Sequence, residues 1–331
     1  MEKIGIYFHP ETFQAVKPLG EIELTGSLPD FEYRRGVIRG SHQDTLELRS
    51  TGIEQFTSVH DGEYIDSIVK LSRGEKAEIT ISMECQQLYY FIPGYEYSLG
   101  GVCAAVDTMK SASKERAYCY ALPSHHAYPA KGHGYCLLNT LAAGVRYAQS
   151  QGFRNNLIVD WDHHHGDGTQ TIFEYDRTVH QISIHSAIDI YMGMMRAHKL
   201  GTTTYGEKVG HRNIPVLDVH YDEAFFNECE MEGEYYRHDT CLARFREALE
   251  DLPFAPDMIW IFDGHDAHRE DLGADVARWD YDDFALLTKA VLDISRKYCC
   301  PVLSMPGGGY RNHVSLQCMN QHIELLETYG K

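Results

Sequence analysis

The chain has 331 residues, 43% of them hydrophobic and 24% charged, which excludes a disordered or low-complexity chain and leaves room for a sizeable core. Acids outnumber bases 48 to 30, for a net charge of −18. That excludes nucleic acid as an expected partner, since binding it relies on Lys and Arg against phosphate, whereas a cationic ligand would be drawn by such a field. Nine scattered cysteines without a CxxC pair read as reduced thiols of a cytoplasmic protein. The N-terminal MEKIGIYFHP lacks a signal-peptide core, and no apolar run reaches bilayer length, so no membrane partner is expected.

The first predicted strand covers residues 4–8, followed by a polar stretch at 21–50 read as a long loop. Val102, Ala105, Val106 and Met109 form a helical stripe, and residues 117–122 a second strand. Leu138, Leu141, Ala142, Val145 and Ala148 form the next helix, stopped by Gly152. Strands follow at 156–161 and 181–185, then an irregular segment at 186–212. Leu242, Phe245 and Leu249 mark a helix, residues 258–262 a strand, and Phe284, Leu287, Val291 and Ile294 another helix. A strand at 301–305 and a helix from Leu316 to about Leu326 complete the series. Most strands are near-continuous apolar runs, as in parallel sheets buried on both faces. The β–α alternation predicts an α/β fold, with a mostly parallel central sheet flanked by helices and long loops, in a single domain over residues 1–331. A homo-oligomer is compatible with this reading.

Ligands in such folds bind beyond the carboxyl ends of the strands. Four strand ends here run into chemistry: LIVD into WDHHHGDGTQ, AYCYAL into PSHHAYPAKGHGY, MIWIFDG into HDAHRED, and VLSM into PGGGYR. On extended chain, alternate residues point the same way, so Asp162 and His164 can reach one point. Asp266, from another strand end, can supply a third ligand. Two carboxylates and an imidazole suit a divalent metal with open positions: zinc, and equally Fe(II), Mn(II) or Co(II). His125 and His126 are the natural proton carriers, and the remaining acids Asp160 and Asp167 could each orient one of them. Three glycines in PGGGYR permit close backbone approach, and Tyr310 could donate to an oxyanion. Gly134 could present a carbonyl to a substrate and Tyr135 a channel wall. Taken singly, the His pair also fits a surface loop, and PGGGYR and GHGYCLLN fit ordinary turns.

In order, PSHHA, GHGYCLLN, DWDHHHGDGTQ, SIH, APDMIWIFDGHDAHREDLG and PGGGY resemble the histone deacetylase superfamily, which includes acetyl-lysine deacetylases and acetylpolyamine amidohydrolases. The resemblance runs from about residue 95 to Tyr310. It implies an arginase/deacetylase α/β fold and a catalytic metal, usually zinc, on Asp162, His164 and Asp266. It pairs Asp160 with His125 and Asp167 with His126, and makes Tyr310 the residue that polarises the substrate carbonyl. Gly134 and Tyr135 match the acyl-lysine tunnel, and Asp160, Asp162, His164, Ser183 and Ile184 match a structural potassium site. The chain departs from the family around the substrate channel. His265 replaces an apolar residue, Asp271-Leu272-Gly273 lacks the usual proline, and the segment after SIH lacks the usual second tunnel wall, a role open to Tyr191 or Met192. Leu272 falls near the channel position where a polyamine specialist would carry an acid.

The implied reaction is hydrolysis of an acyl amide, expected to be acetyl, to a carboxylate and a free amine. The expected substrate is a small acetylated amine, an acetylpolyamine or an acetyl-lysine protein, with the short chain leaning towards a small molecule. Two alternatives stand beside it: an arginase-like binuclear ureohydrolase, and a binding module without turnover.

Overall fold

The computed structural model describes residues 4–7, 50–81, 85, 92–112, 114–122, 124–187, 211–217 and 234–330, without the side chain of Asp275. The described residues form two compact units. One takes residues up to 154, with 167–173 and 303–306; the other takes 155–166, 174–302 and the residues from 307 onward.

In the first unit, strands β1 (Gly5–Tyr7), β3 (Arg116–Cys119) and β9 (Val302–Pro306) lie side by side in that order. β1 and β3 are parallel, with Ile6 opposite Tyr118. A small parallel pair joins β2 (Thr80–Ile81) to β4 (Lys131–Gly132). Helix α1 (Gly62–Ser72) buries Tyr64, Ile65 and Ile68, one face at helical spacing. Helix α2 (Ile92–Lys110) buries Leu99, Val102, Ala105, Val106 and Met109. Helix α3 (Thr140–Ser150) starts where the Asn139 side chain accepts from the Ala142 amide, which satisfies one of the helix's orphan donors. The short helix α4 (Asp167–Phe173) opens on Asp167.

In the second unit the order is β8 (Met258–Asp263), β5 (Asn156–Asp160), β6 (Val179–Ser186) and β7 (His211–Val216). All three pairings are parallel. Every residue of β5, β6 and β8 is buried, which is why β5 and β8 read as near-continuous apolar runs rather than alternating ones, whereas β6 also buries His180, Gln181, Ser183, His185 and Ser186. The helices are α5 (His238–Glu250), α6 (Tyr281–Tyr298) and α7 (Asn312–Thr328). α6 is closed at its start by a capping box between Asp280 and Asp283.

Six predicted strands and four predicted helices stand within a few residues of expectation, and the fifth helix, α2, begins at Ile92, well before its predicted stripe at Val102. The loop reading of 186–212 fails at its end, because His211 and Arg212 begin β7. That strand carries Pro215, which signals against a central strand, but β7 lies at an edge, where a missing ladder donor is tolerated. Residues 188–210 lie outside the described residues, as does the 21–50 stretch except Ser50. Among the described residues no helix is long and apolar enough to cross a membrane.

Candidate active site

The second unit gathers the predicted metal ligands. Asp162 and His164 follow β5, and Asp266 follows β8, its register partner. One ligand atom from each lies within 4.8 Å of the others, and all three residues are buried. His164 Nδ1 is 3.3 Å from Asp162 Oδ1 and 3.2 Å from Asp266 Oδ2. The other oxygens are committed: the His163 amide donates to Asp266 Oδ1 at 2.9 Å, and the Gly308 amide to Asp162 Oδ2 at 2.5 Å. Burial, and then the charge of Asp162, push the Asp266 carboxyl above the usual carboxylate range. Two buried, mutually repelling carboxylates converging on one imidazole nitrogen make a donor set that a divalent cation satisfies. Asp162, His164 and Asp266 therefore fit such an ion.

The glycines of PGGGYR serve this cluster. A Cβ on Gly308 would sit 2.6 Å from Asp266 Oδ2 and 2.9 Å from Asp162 Oδ2, and one on Gly307 2.7 Å from Asp162 Oδ2. Only glycine lets the backbone approach the carboxylates and donate to one of them. Tyr310 follows directly. Its amide and that of Arg311 both donate to Asp271 Oδ2 at 2.8 Å. Asp271 thus ties the backbone of Tyr310 to the turn that carries Leu272, whose side chain is 46% exposed. Of the residues matched by resemblance to a potassium site, Asp160 ends β5 and is the register partner of Ser183 within β6, Ile184 follows Ser183, and Asp162 and His164 lie just beyond β5.

His265 is buried. Its Nε2 lies 3.0 Å from Asp263 Oδ2, and its ring meets Phe284 edge-on at 5.8 Å. Asp263 Oδ1 also accepts from the Trp161 indole at 3.1 Å. Burial alone would raise the Asp263 carboxyl, but the His265 and His322 imidazoles and these hydrogen bonds outweigh it and hold the carboxyl low. A charged partner at 263 thus explains how a polar residue sits at 265. His163 contributes its amide to Asp266, while burial, and then the charge of His164, hold its imidazole down at about 3. The His165 ring packs on His185 at 4.4 Å.

The first unit holds His125 and His126, the expected proton carriers. His126 Nδ1 is 2.7 Å from Asp167 Oδ1, with both side chains buried. The His125 and His126 rings lie 4.0 Å apart. Three contacts hold this segment against α4. The Thr169 amide donates to the His125 carbonyl at 2.9 Å, and Asn139 Nδ2 donates to the Ala127 carbonyl at 3.2 Å and to Thr169 Oγ1 at 3.1 Å. Gly134 and Tyr135 form a tight turn with φ of 54° and 59°, closed by paired backbone bonds between His133 and Cys136. Both central residues are left-handed, as in a type I′ turn. For Tyr135 that costs about 1–2 kcal/mol, so its placement is enforced by the fold. A Cβ on Gly134 would fall 2.3 Å from His126 Cδ2.

Tyr191 and Met192 lie outside the described residues. Sequence reasoning missed Asn139, Thr169, Asp263 and Asp271. Each acts through contacts with residues distant in sequence, and only Asn139, just before a helical stripe, carried a local signal, that of an N-cap.

The histone deacetylase domain family matches residues 31–326. A type-2 histone deacetylase 2 from Dictyostelium discoideum is 30% identical over 241 residues, covering 69% of this chain and 13% of that protein. A probable deacetylase of Archaeoglobus fulgidus is 31% identical over 226 residues, covering 67% and 61%. The polyamine deacetylase HDAC10 of Rattus norvegicus is 32% identical over 146 residues, covering 42% and 25%. The chain thus spans between 13% and 61% of the length of these relatives. The crystal structure of the HDA15 HD domain matches with a TM-score of 0.76 at 21% identity, over 99% of this chain and 91% of that one, which establishes the α/β fold of the arginase/deacetylase type. The family match extends over most of the chain, and the chain belongs to the histone deacetylase family.

Proposed function

We propose that the chain is a metal-dependent amidohydrolase that removes an acyl group, in the first instance acetyl, from an amine. The observation that carries this reading is the buried Asp162, His164 and Asp266 cluster, whose ligand atoms converge within 4.8 Å of one another. These residues would hold Zn(II), with Fe(II), Mn(II) or Co(II) as the other candidates. When bound, such an ion supplies Lewis acidity towards water and a carbonyl oxygen. The Nδ1–H of His126 donates to Asp167, which leaves Nε2 as the base that takes the proton of the attacking water. The same nitrogen then protonates the leaving amine, with His125 beside it. Tyr310 donates to the oxyanion, and Asp271 fixes its backbone. That both clusters serve one reaction, and that Asp160 pairs with His125, follows from the family resemblance. So do the tunnel roles of Gly134 and Tyr135, and a structural potassium at Asp160, Asp162, His164, Ser183 and Ile184.

The net charge of −18 favours cationic substrates by attraction, such as an acetylated polyamine with its remaining amines or an acetyl-lysine in a basic protein segment. The eight described cysteines are free thiols, which supports a cytoplasmic setting. The family match runs through both compact units, which supports one catalytic domain. Purified protein stripped with a chelator and reloaded with each divalent ion should hydrolyse an acetylated amine only when loaded. Hydrolysis at full rate after stripping, or in both His126→Ala and Tyr310→Phe, would overturn the reading.

A further inference from the structure

We propose that Tyr128 is a positioning residue of this reaction, which holds Asp167 in place and shares its negative charge with His126. The inference rests on the amidohydrolase reading above. Tyr128 lies two residues after His126, and its hydroxyl donates to Asp167 Oδ2. The other oxygen, Oδ1, faces His126 Nδ1 at 2.7 Å. The carboxylate is therefore shared, with the imidazole on one side and the phenol on the other.

The tyrosine is held there by its own turn. Its amide donates to the Lys131 carbonyl at 2.9 Å. The Pro129 carbonyl within that turn accepts from the Asp61 amide at 2.9 Å and faces His60 Nδ1 at 3.2 Å. The remaining nitrogen of His60 accepts from the Asn139 amide at 2.9 Å, so this imidazole is neutral, with its proton on Nδ1. The Lys131 ammonium lies 5.7 Å from the Tyr128 ring centroid, and a cation at that distance favours electron withdrawal from the ring and makes the hydroxyl a stronger donor. The titratable groups that face His126 in this unit are Asp167 from α4, His125 at 4.0 Å and His133 at 5.5 Å between ring centroids. Tyr128 acts through Asp167, and its ring also lies 6.1 Å from that of His133.

A hydrogen bond to a carboxylate stabilises its charge, so less of that charge is left to hold a proton on its imidazole partner. Removing the phenol hydroxyl returns the full charge to His126 and strengthens its hold on the proton. The test is Tyr128→Phe, read by the pH dependence of kcat/KM and by the NMR titration of the His126 imidazole, assigned by its loss in His126→Gln. The acid limb and the NMR titration should both move to higher pH, by an amount on the order of one unit. The rate on the alkaline plateau should be largely retained, and KM unchanged. In an Asp167→Asn background, where no charge remains to divide, Tyr128→Phe should produce no shift. An unmoved titration in Tyr128→Phe, or an equal shift in both backgrounds, overturns the proposal. The NMR titration needs no turnover, so it still decides the role of Tyr128 if the protein hydrolyses no acylated amine, a result that would count against the amidohydrolase reading alone.

Discussion

Gly168→Ala should separate catalysis from folding in this protein. Gly168 is the second residue of α4, directly after Asp167. A Cβ there would lie 2.5 Å from the Ala127 carbonyl oxygen, 2.5 Å from the His126 carbonyl carbon and 2.7 Å from that of Ala127. All three neighbours are backbone atoms, so no side chain can swing aside. Reaching an ordinary contact of 3.4 Å requires α4 and the histidine segment to part by about 0.9 Å. The His126–Asp167 contact of 2.7 Å would then open to about 3.6 Å, beyond hydrogen-bond range. A displacement of that size can cost about 10²-fold in rate, within the roughly 10²–10⁴-fold worth of a positioned acid–base group. Overpacking costs about 1–3 kcal/mol, offset by about 1 kcal/mol from placing Ala rather than Gly in a helix. Kinetics on an acetylated amine should therefore show kcat lower by about 10²-fold, with KM and metal content unchanged and the melting temperature lower by a few degrees at most. A kcat within twofold of the parent would refute the claim that this close approach aligns the pair.

Asp266→Asn should lower bound metal well below one equivalent, measured by elemental analysis after dialysis, and lower the rate about 10³-fold or more, since it removes a ligand from a three-residue set. Asn139→Ala should cost roughly 2–4 kcal/mol in denaturant unfolding, from a lost N-cap worth about 1 kcal/mol and a buried carbonyl at Ala127 left unpaired at about 1–3 kcal/mol. Burial, opposed by hydrogen bonds to the Pro129 and Tyr128 carbonyls, lowers His60 to about 4 from the ordinary 6.5. The unfolded chain then takes up this proton first, so stability is lost as pH falls from 6.5 to 4, by about 3 kcal/mol in total. His60→Gln should make the fall between pH 6.5 and 4 shallower, as read by urea unfolding at several pH values; an unchanged slope would remove His60 from the account.

The sequence by itself determined the fold class and the identity of most polar groups at the candidate site. Strands buried on both faces are mostly apolar, so β5 and β8 announce themselves, and the polar residues that end them are the ones left for chemistry. Alternation on extended chain was enough to place Asp162 with His164. The strand β7 was hidden because Pro215 is allowed only at an edge, and edge position is a property of the assembled sheet. The tertiary structure alone decided which neighbours tune each group. Asp263 makes His265 tolerable, Asp271 anchors Tyr310, and Asn139 with Thr169 clamps the histidine segment to α4. Tyr128, silent in the sequence, shares the carboxylate of Asp167 with His126. Apart from Asp263 and His265, which are near neighbours, these contacts join residues 12 to 44 positions apart, set by packing of whole elements, and no local propensity or spacing rule encodes them.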